Sequence, residues 1–245
     1  MSKMIKDYDQ ITAYHYASYR PLLHTKILES YLPNHEKVDL GLDIGCGTGQ
    51  SAISLSAFCK KVIGVDPSQE MIQKSIEHPS VTYQTMKNNV LDFNDDSFDI
   101  ITFAGSLFYA KSQEILNESI RVSKTNTRVI AYDFEILLSP IFKLLGAVEE
   151  TLIASNYNHE ENFTGLQTAA ITLNEQFKQA IDLEITIPDL VNLLLSSKED
   201  YAKLSNTYGP ENLFELLIQQ LQNKLESENT TLKANTYLTA YTVMK

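Results

Sequence analysis

The stretch Asp39-Leu40-Gly41-Leu42-Asp43-Ile44-Gly45-Cys46-Gly47-Thr48-Gly49-Gln50 constrains this chain more than any other. An apolar strand runs into a turn with glycine at alternate positions, and Ser51-Ala52-Ile53-Ser54-Leu55-Ser56 then has the composition of a helix start. A backbone that bends sharply and lets a ligand come close needs residues without side chains. The chain has only nine glycines, so three within five residues mark a site.

The same strand-then-helix rhythm follows. Lys61-Val62-Ile63-Gly64-Val65-Asp66 is a β-branched run ending in an acid, and Pro67-Ser68-Gln69-Glu70-Met71-Ile72 opens with helix-start chemistry. Val81–Gln84 reads as a third strand, Phe98–Ala104 as a fourth and Arg128–Phe134 as a fifth, with a helix over 112–123 and a solvated turn at Asp92–Asp96. Strands alternating with helices predict an α/β fold with a doubly wound parallel sheet. The later part predicts a segment over 136–175 that is helical and partly apolar before the polar run Ser155–Asn162, a sixth strand over 177–187, helices at 190–195 and 209–228, and a seventh strand over 236–244. The spacing of Tyr8, Ile11, Tyr14, Tyr16, Tyr19, Leu22 and Leu23 predicts two N-terminal helices broken at Pro21, a packing element or a lid.

At 245 residues with 43% hydrophobic side chains, one large domain is expected, with no linker or repeat to divide it. With 31 acidic and 20 basic residues the net charge is −11, which disfavours nucleic-acid partners. The chain shows no signal-peptide core and no apolar run of membrane-spanning length, so a cytoplasmic protein without a membrane partner is expected. Cys46 and Cys59 have neither metal-ligand nor redox spacing, and no metal is expected.

In an open parallel sheet, ligands bind beyond the carboxyl ends of the strands. The glycine loop falls there, and Asp66, 21 residues after Gly45, ends the neighbouring strand, where a carboxylate can accept hydrogen bonds from both hydroxyls of a ribose. A dinucleotide fingerprint requires G-x-G-x-x-G, but Gln50 stands where its third glycine belongs. The observed G-x-G-x-G, with Asp43 before it and Gly64-Val65-Asp66-Pro67-Ser68 and Met71 after it, resembles the class I S-adenosylmethionine-dependent methyltransferases. Ser97-Phe98-Asp99-Ile100-Ile101 and Arg121-Val122-Ser123-Lys124 extend the likeness. Tyr19-Arg20-Pro21 is similar to an element of the small-molecule branch, methyltransferase type 11, with the trans-aconitate methyltransferase-like proteins.

The resemblance implies a Rossmann-like seven-stranded sheet of order 3-2-1-4-5-7-6, its last strand antiparallel, with helices on both faces and a helical cap. It implies S-adenosylmethionine as cofactor, S-adenosylhomocysteine as product and a small-molecule acceptor, in a single domain over 1–245. Residues 1–32 are then lid helices, and 136–175 and 188–232 are the cap. Gly45 and Gly47, with Asp43, Cys46 and Gly49 beside them, would line the methionine part. Asp66 would bind the ribose, Pro67 and Met71 would flank the adenine, and Ala104 and Gly105 would follow strand four. Lys87-Asn88-Asn89 replaces the family's adenine-binding acid, which leaves Asn88 or Asn89 for that contact. Phe108-Tyr109 replaces its histidine, and Thr125-Asn126-Thr127 its glycine-rich turn.

A sulfonium methyl is already activated, so positioning is the main task and a general base is optional. For a hydroxyl or amine acceptor the candidate bases are Tyr109, His159, Tyr16 and His24, and Arg20 can pair with the methionine carboxylate. A binding protein that has lost transfer activity and a methyltransferase with a macromolecular acceptor are the alternatives.

Overall fold

Apolar runs without polar alternation form strands covered on both faces, and the central strands here are of that kind. The computed structural model describes residues 11, 12, 14, 15, 18, 19, 21–32, 36–147 and 156–245. Its strands are β1 (Val38–Ile44), β2 (Cys59–Asp66), β3 (Val81–Thr85), β4 (Phe98–Ala104), β5 (Ser123–Ile136), β6 (Ile171–Thr186) and β7 (Asn229–Val243). They form one sheet of order 3-2-1-4-5-7-6. β1 pairs in parallel with β2 and β4, β2 with β3, and β4 with β5. β7 runs the other way, because its Tyr237 hydroxyl reaches Glu135 late in β5 (3.4 Å) while Lys245, just beyond β7, reaches the Ser123 carbonyl at the start of β5 (2.6 Å). The mixed Rossmann-like sheet is the one the resemblance implied.

The chain divides into two compact units, one of them Leu22–Glu135, Asn156–Gln179 and Thr236–Lys245. This unit holds helices α1 (Leu23–Tyr31), α2 (Gln50–Leu55), α3 (Gln69–Gln73), α4 (Leu107–Ala110) and α5 (Gln113–Val122). On one face of the sheet, Leu42, Ile44, Ile101, Phe103 and Val129 pack with Ile115 and Leu116 of α5. On the other, Val62, Ile100 and Ile130 pack with Ile27 and Leu28 of α1 and Leu55 of α2. Neighbours such as Ile100 and Ile101 enter opposite layers, as the two-residue period of a strand requires.

The other unit comprises the described parts of Met1–Pro21, Ile136–Ser155 and Ala180–Asn235. It holds α6 (Ser139–Leu144), α7 (Ile187–Leu195), α8 (Lys198–Tyr208) and α9 (Leu213–Leu225). Thr186 and Ser197 cap α7 and α8 by accepting the N–H groups of Asp189 and Asp200. His15 Nδ1 lies 2.8 Å from Asn192 Oδ1, and its ring stacks on Phe214.

Helix through 136–175 is not what forms in the described residues. Only α6 is helical there, 156–170 is turn and loop, and β6 already begins at Ile171. Asparagine is the reason. Asn158 accepts the N–H of Glu160 (3.0 Å) and Asn162 that of Thr164 (2.9 Å), local turns that divert the backbone from helical pairing. β5 begins five residues before the expected Arg128 because Asn126, at φ +67°, carries the strand across a register shift between Phe98 and Ile100.

The turn at Asp92–Asp96 is more tightly held than its composition suggests. Arg121, in the last turn of α5, donates to Glu118 through two nitrogens (2.7 and 2.8 Å), to Asp95 (2.7 Å), and to the carbonyls of Leu91 (2.7 Å) and Phe93 (2.8 Å). Arg121→Ala is expected to destabilise the protein by about 2 kcal/mol in urea unfolding, since charge-assisted bonds are lost from a side chain still partly screened by solvent. Arg121→Lys should recover less than half of this, because a lysine lacks the fork. Equal stability of all three proteins would refute the clamp.

Candidate active site

The site begins where β1 runs out of partners. The N–H groups of Gly45 and Cys46 both donate to the Val65 carbonyl (2.8 and 3.0 Å), which folds the loop over the end of β2. Gly45, Gly47 and Gly49 have φ of +74°, +54° and +98°. A Cβ on Gly45 would sit 2.4 Å from Cβ of Ser106, and one on Gly49 would sit 2.2 Å from the Tyr83 hydroxyl, whereas one on Gly47 would meet nothing. Protein side chains therefore already require glycine at 45 and 49, whereas a Cβ at Gly47 would meet no protein atom within 4 Å.

Asp66 ends β2 with both carboxylate oxygens held. Oδ2 accepts the Gly47 N–H (2.9 Å) and Oδ1 the Ser68 N–H (2.8 Å). A carboxylate has about four acceptor positions, so two remain for a ligand. Beside it opens a cavity of about 370 Å³, lined by Ile44, Gly45, Asp66, Pro67, Met86 and Asn89 on one side and Ala104, Gly105, Ser106, Tyr109 and Ala110 on the other. Its volume and largely apolar wall suit a nucleoside-sized ligand.

Six of the expected cofactor residues are thus brought together: Gly45, Asp66, Pro67, Asn89, Ala104 and Gly105. Others are placed elsewhere. Asp43 is fully buried, its oxygens taken by the hydroxyls of Ser51 (2.5 Å) and Thr102 (2.7 Å), so it braces the loop and does not face the cavity. Burial raises its pKa to about 6, against the pull of those two hydroxyls. The Cys46 side chain turns into the core against Gly64, where burial pushes its thiol well up. Met71 is exposed on α3, outside the cavity wall. Asn88 and Asn89 both have positive φ, forming a tight turn that exposes Asn88 and aims Asn89 inward, with its amide 3.4 Å from the Ser112 hydroxyl. Arg20 and Tyr16 lie outside the described residues.

Of the candidate bases, Tyr109 stands on the cavity rim with 78% of its surface exposed. His24 packs edge-on against Tyr132 and Phe134, its Nδ1 3.3 Å from the Tyr132 hydroxyl, and does not line the cavity. His159 has a carboxylate partner that sequence reasoning missed. Its Nδ1 lies 2.9 Å from Oδ2 of Asp133, whose Oδ1 accepts the Phe134 N–H (2.7 Å). The Tyr157 hydroxyl is within reach of that same Oδ2 (2.8 Å) and of the Gly105 carbonyl (2.7 Å), so the cluster adjoins the cavity wall. Burial and the neighbouring Asp133 hold the Tyr157 hydroxyl well above its usual range. A signal for Asp133 was present: Val129-Ile130-Ala131-Tyr132-Asp133 is an apolar run followed by an acid, much as Asp66 follows Val62–Val65. Ser106, Met86 and Ala110 carried no such signal.

A family model described as a methyltransferase domain matches residues 42–131, a span that includes the whole cavity wall but not Asp133, Tyr157 or His159. The chain is 32% identical over 124 residues to a Dictyostelium discoideum protein named as a methyltransferase, covering 50% of this chain and 47% of that protein. It is 34% identical over 101 residues to the uncharacterized methyltransferase YcgJ of Bacillus subtilis, covering 38% of this chain and 39% of that one. The matches thus span less than half the length of either relative. A solved structure from Anaeromyxobacter dehalogenans described as a type II methyltransferase shares the fold, with a TM-score of 0.62 at 16% identity over 92% of this chain and 98% of that one.

Proposed function

We infer that this chain, which carries a class I S-adenosylmethionine-dependent methyltransferase domain, transfers a methyl group from that cofactor to a small-molecule acceptor by in-line displacement. The observation that carries the reading is Asp66, pinned by two backbone amides beside a cavity of nucleoside size. Bound S-adenosylmethionine supplies an activated methyl on a sulfonium. The chain's own residues bind and orient it: Asp66 accepts the ribose hydroxyls, Pro67 and Met86 flank the base, and the Asn89 amide oxygen accepts from the adenine amino group. Gly45, Ala104 and Gly105 present backbone to the methionine side. Arg20 is proposed for the methionine carboxylate. Holding the acceptor in line while excluding water is then the catalytic contribution, worth up to about 7 to 11 kcal/mol where alignment is good.

The net charge of −11 supports a small molecule over a nucleic acid as acceptor. A single methyltransferase domain, with residues 1–32, 136–175 and 188–232 choosing the acceptor, belongs to the same proposal. So does a cytoplasmic setting, which suits the free, buried Cys46 and Cys59. Among the described residues no helix is long and apolar enough to cross a membrane.

Calorimetric titration with S-adenosylhomocysteine tests the reading. Saturable binding is expected, weakened about 10- to 100-fold by Asp66→Ala, the cost of losing hydrogen bonds to a charged acceptor. No binding at millimolar ligand, or an Asp66→Ala protein that binds as tightly as the parent, would sink it.

A further inference from the structure

We propose that His159, oriented by Asp133, takes the proton from the acceptor's attacking hydroxyl, so that the acceptor is a neutral hydroxyl compound and not a carboxylate. This rests on the cofactor reading of the adjoining cavity. An ionised Asp133 only accepts hydrogen bonds, so the 2.9 Å contact places the ring proton of neutral His159 on Nδ1 and leaves Nε2 with its lone pair. Among the described residues, that contact is the ring's one hydrogen bond. The ring is held in plane by stacking on Tyr237 (5.5 Å between centroids, 11° between planes) and edge-on by Tyr157 (4.7 Å). It borders a cavity of about 210 Å³ with Gln176, Lys178, Tyr237 and Thr239, and also a small cleft that reaches Gly105 of the cofactor cavity.

Charge among the described residues favours an uncharged acceptor. A carboxylate acceptor would need a cation to seat it, and among the described residues the two cations beside this cluster both have acidic neighbours: Lys111 pairs with Glu161 (2.6 Å), and Lys178, over the Tyr237 ring (4.8 Å), lies 3.7 Å from Glu160, while Asp133 adds a further negative charge. Aromatic rings at Phe108, Tyr157, His159 and Tyr237 suit a flat, uncharged molecule. In the transfer, the acceptor oxygen's electron pair forms the O–C bond, and the C–S bond breaks with its pair going to sulfur, leaving the neutral thioether. The hydroxyl proton passes to Nε2, so the positive charge lost by sulfur ends on an imidazolium beside Asp133 and leaves as a proton to solvent. Asp133 is a positioning residue in this scheme.

Phenol, para-nitrophenol and benzoate, with methyl-labelled S-adenosylmethionine, are the probes. Phenol should be methylated by the parent protein, with kcat lowered about hundredfold in His159→Gln, the usual weight of a general base. Its KM for S-adenosylmethionine should stay within about twofold, since uniform binding is untouched. At about pH 9 para-nitrophenol is already ionised, so the same variant should methylate it within about threefold of the parent rate. Asp133→Asn should show the same dependence on acceptor acidity, which a merely structural role would not produce. Without turnover, diethyl pyrocarbonate should label His159 in the ligand-free protein, and phenol should slow the labelling. Methylation of benzoate but not phenol, or equal losses on both phenols, overturns the proposal. S-adenosylhomocysteine binding on the same samples separates the failures: binding without transfer to either phenol overturns this proposal alone, and absence of binding overturns the cofactor reading with it.

Discussion

Gly49→Ala and Gly45→Ala will each destabilise the protein by about 3 to 5 kcal/mol, while Gly47→Ala will cost only about 1 to 2 kcal/mol. All three positions have positive φ, so each alanine pays for a left-handed backbone. The difference lies in what the new methyl meets. At Gly49 it would lie 2.2 Å from the Tyr83 hydroxyl, and that ring cannot step aside freely because its hydroxyl donates to the Ile76 carbonyl (3.0 Å). Ile76 in turn donates its N–H to Thr48 in the same loop (3.0 Å). At Gly45 the obstacle is Ser106, whose hydroxyl is fixed on the Ile44 carbonyl (2.5 Å). At Gly47 there is none. Urea unfolding of the three single variants checks the ranking, and three equal losses would show that backbone strain alone sets the cost. Against a total stability of roughly 5 to 15 kcal/mol, the larger losses threaten folding itself.

The glycine loop shows where the sequence was legible and where it was not. Spacing alone located it at the end of β1 and separated it from a dinucleotide loop, because both follow from local chain geometry. The partners of Gly45 and Gly49 come from β4's end and from β3, and contacts of such sequence separation leave no trace in spacing. The strand order was readable through the resemblance, and the buried runs at Leu42–Ile44 and Phe98–Phe103 already demanded cover on both faces. The polar run Ser155–Asn162 marked the break in the segment read as helical over 136–175, but not its turns, which come from Asn158 and Asn162 side chains competing for the backbone.

Three acids in the carboxyl-terminal parts of β1, β2 and β5 differ through their surroundings. Asp66 meets backbone amides and keeps spare acceptor positions toward the cavity. Asp133 meets a histidine and a tyrosine. Asp43 meets two hydroxyls in full burial, although the resemblance set it among the cofactor residues with Asp66. The groups that meet each carboxylate in space, not the residue type, separate the acid with spare acceptor positions from the brace.

That brace makes a second large effect measurable. Burial raises Asp43 from its ordinary 3.8 to about 6 in the folded protein, so folding favours its neutral form. The resulting stability is fully present below the unfolded pKa and is lost as pH rises through about 6. A shift of about two pKa steps corresponds to roughly 3 kcal/mol. In Asp43→Asn the group no longer titrates, and the amide can still accept from one hydroxyl and donate to the other. Between about pH 3.5 and pH 7 the parent protein should therefore lose roughly 3 kcal/mol relative to the asparagine variant, with the other carboxylates cancelling in the difference. Paired urea titrations across that range measure it. A stability difference that stays flat would mean that the Asp43 carboxyl has the same pKa folded and unfolded, with the Ser51 and Thr102 hydroxyls offsetting burial. A variant that gains ground as pH falls would reverse the sign and place the folded carboxyl below its unfolded value.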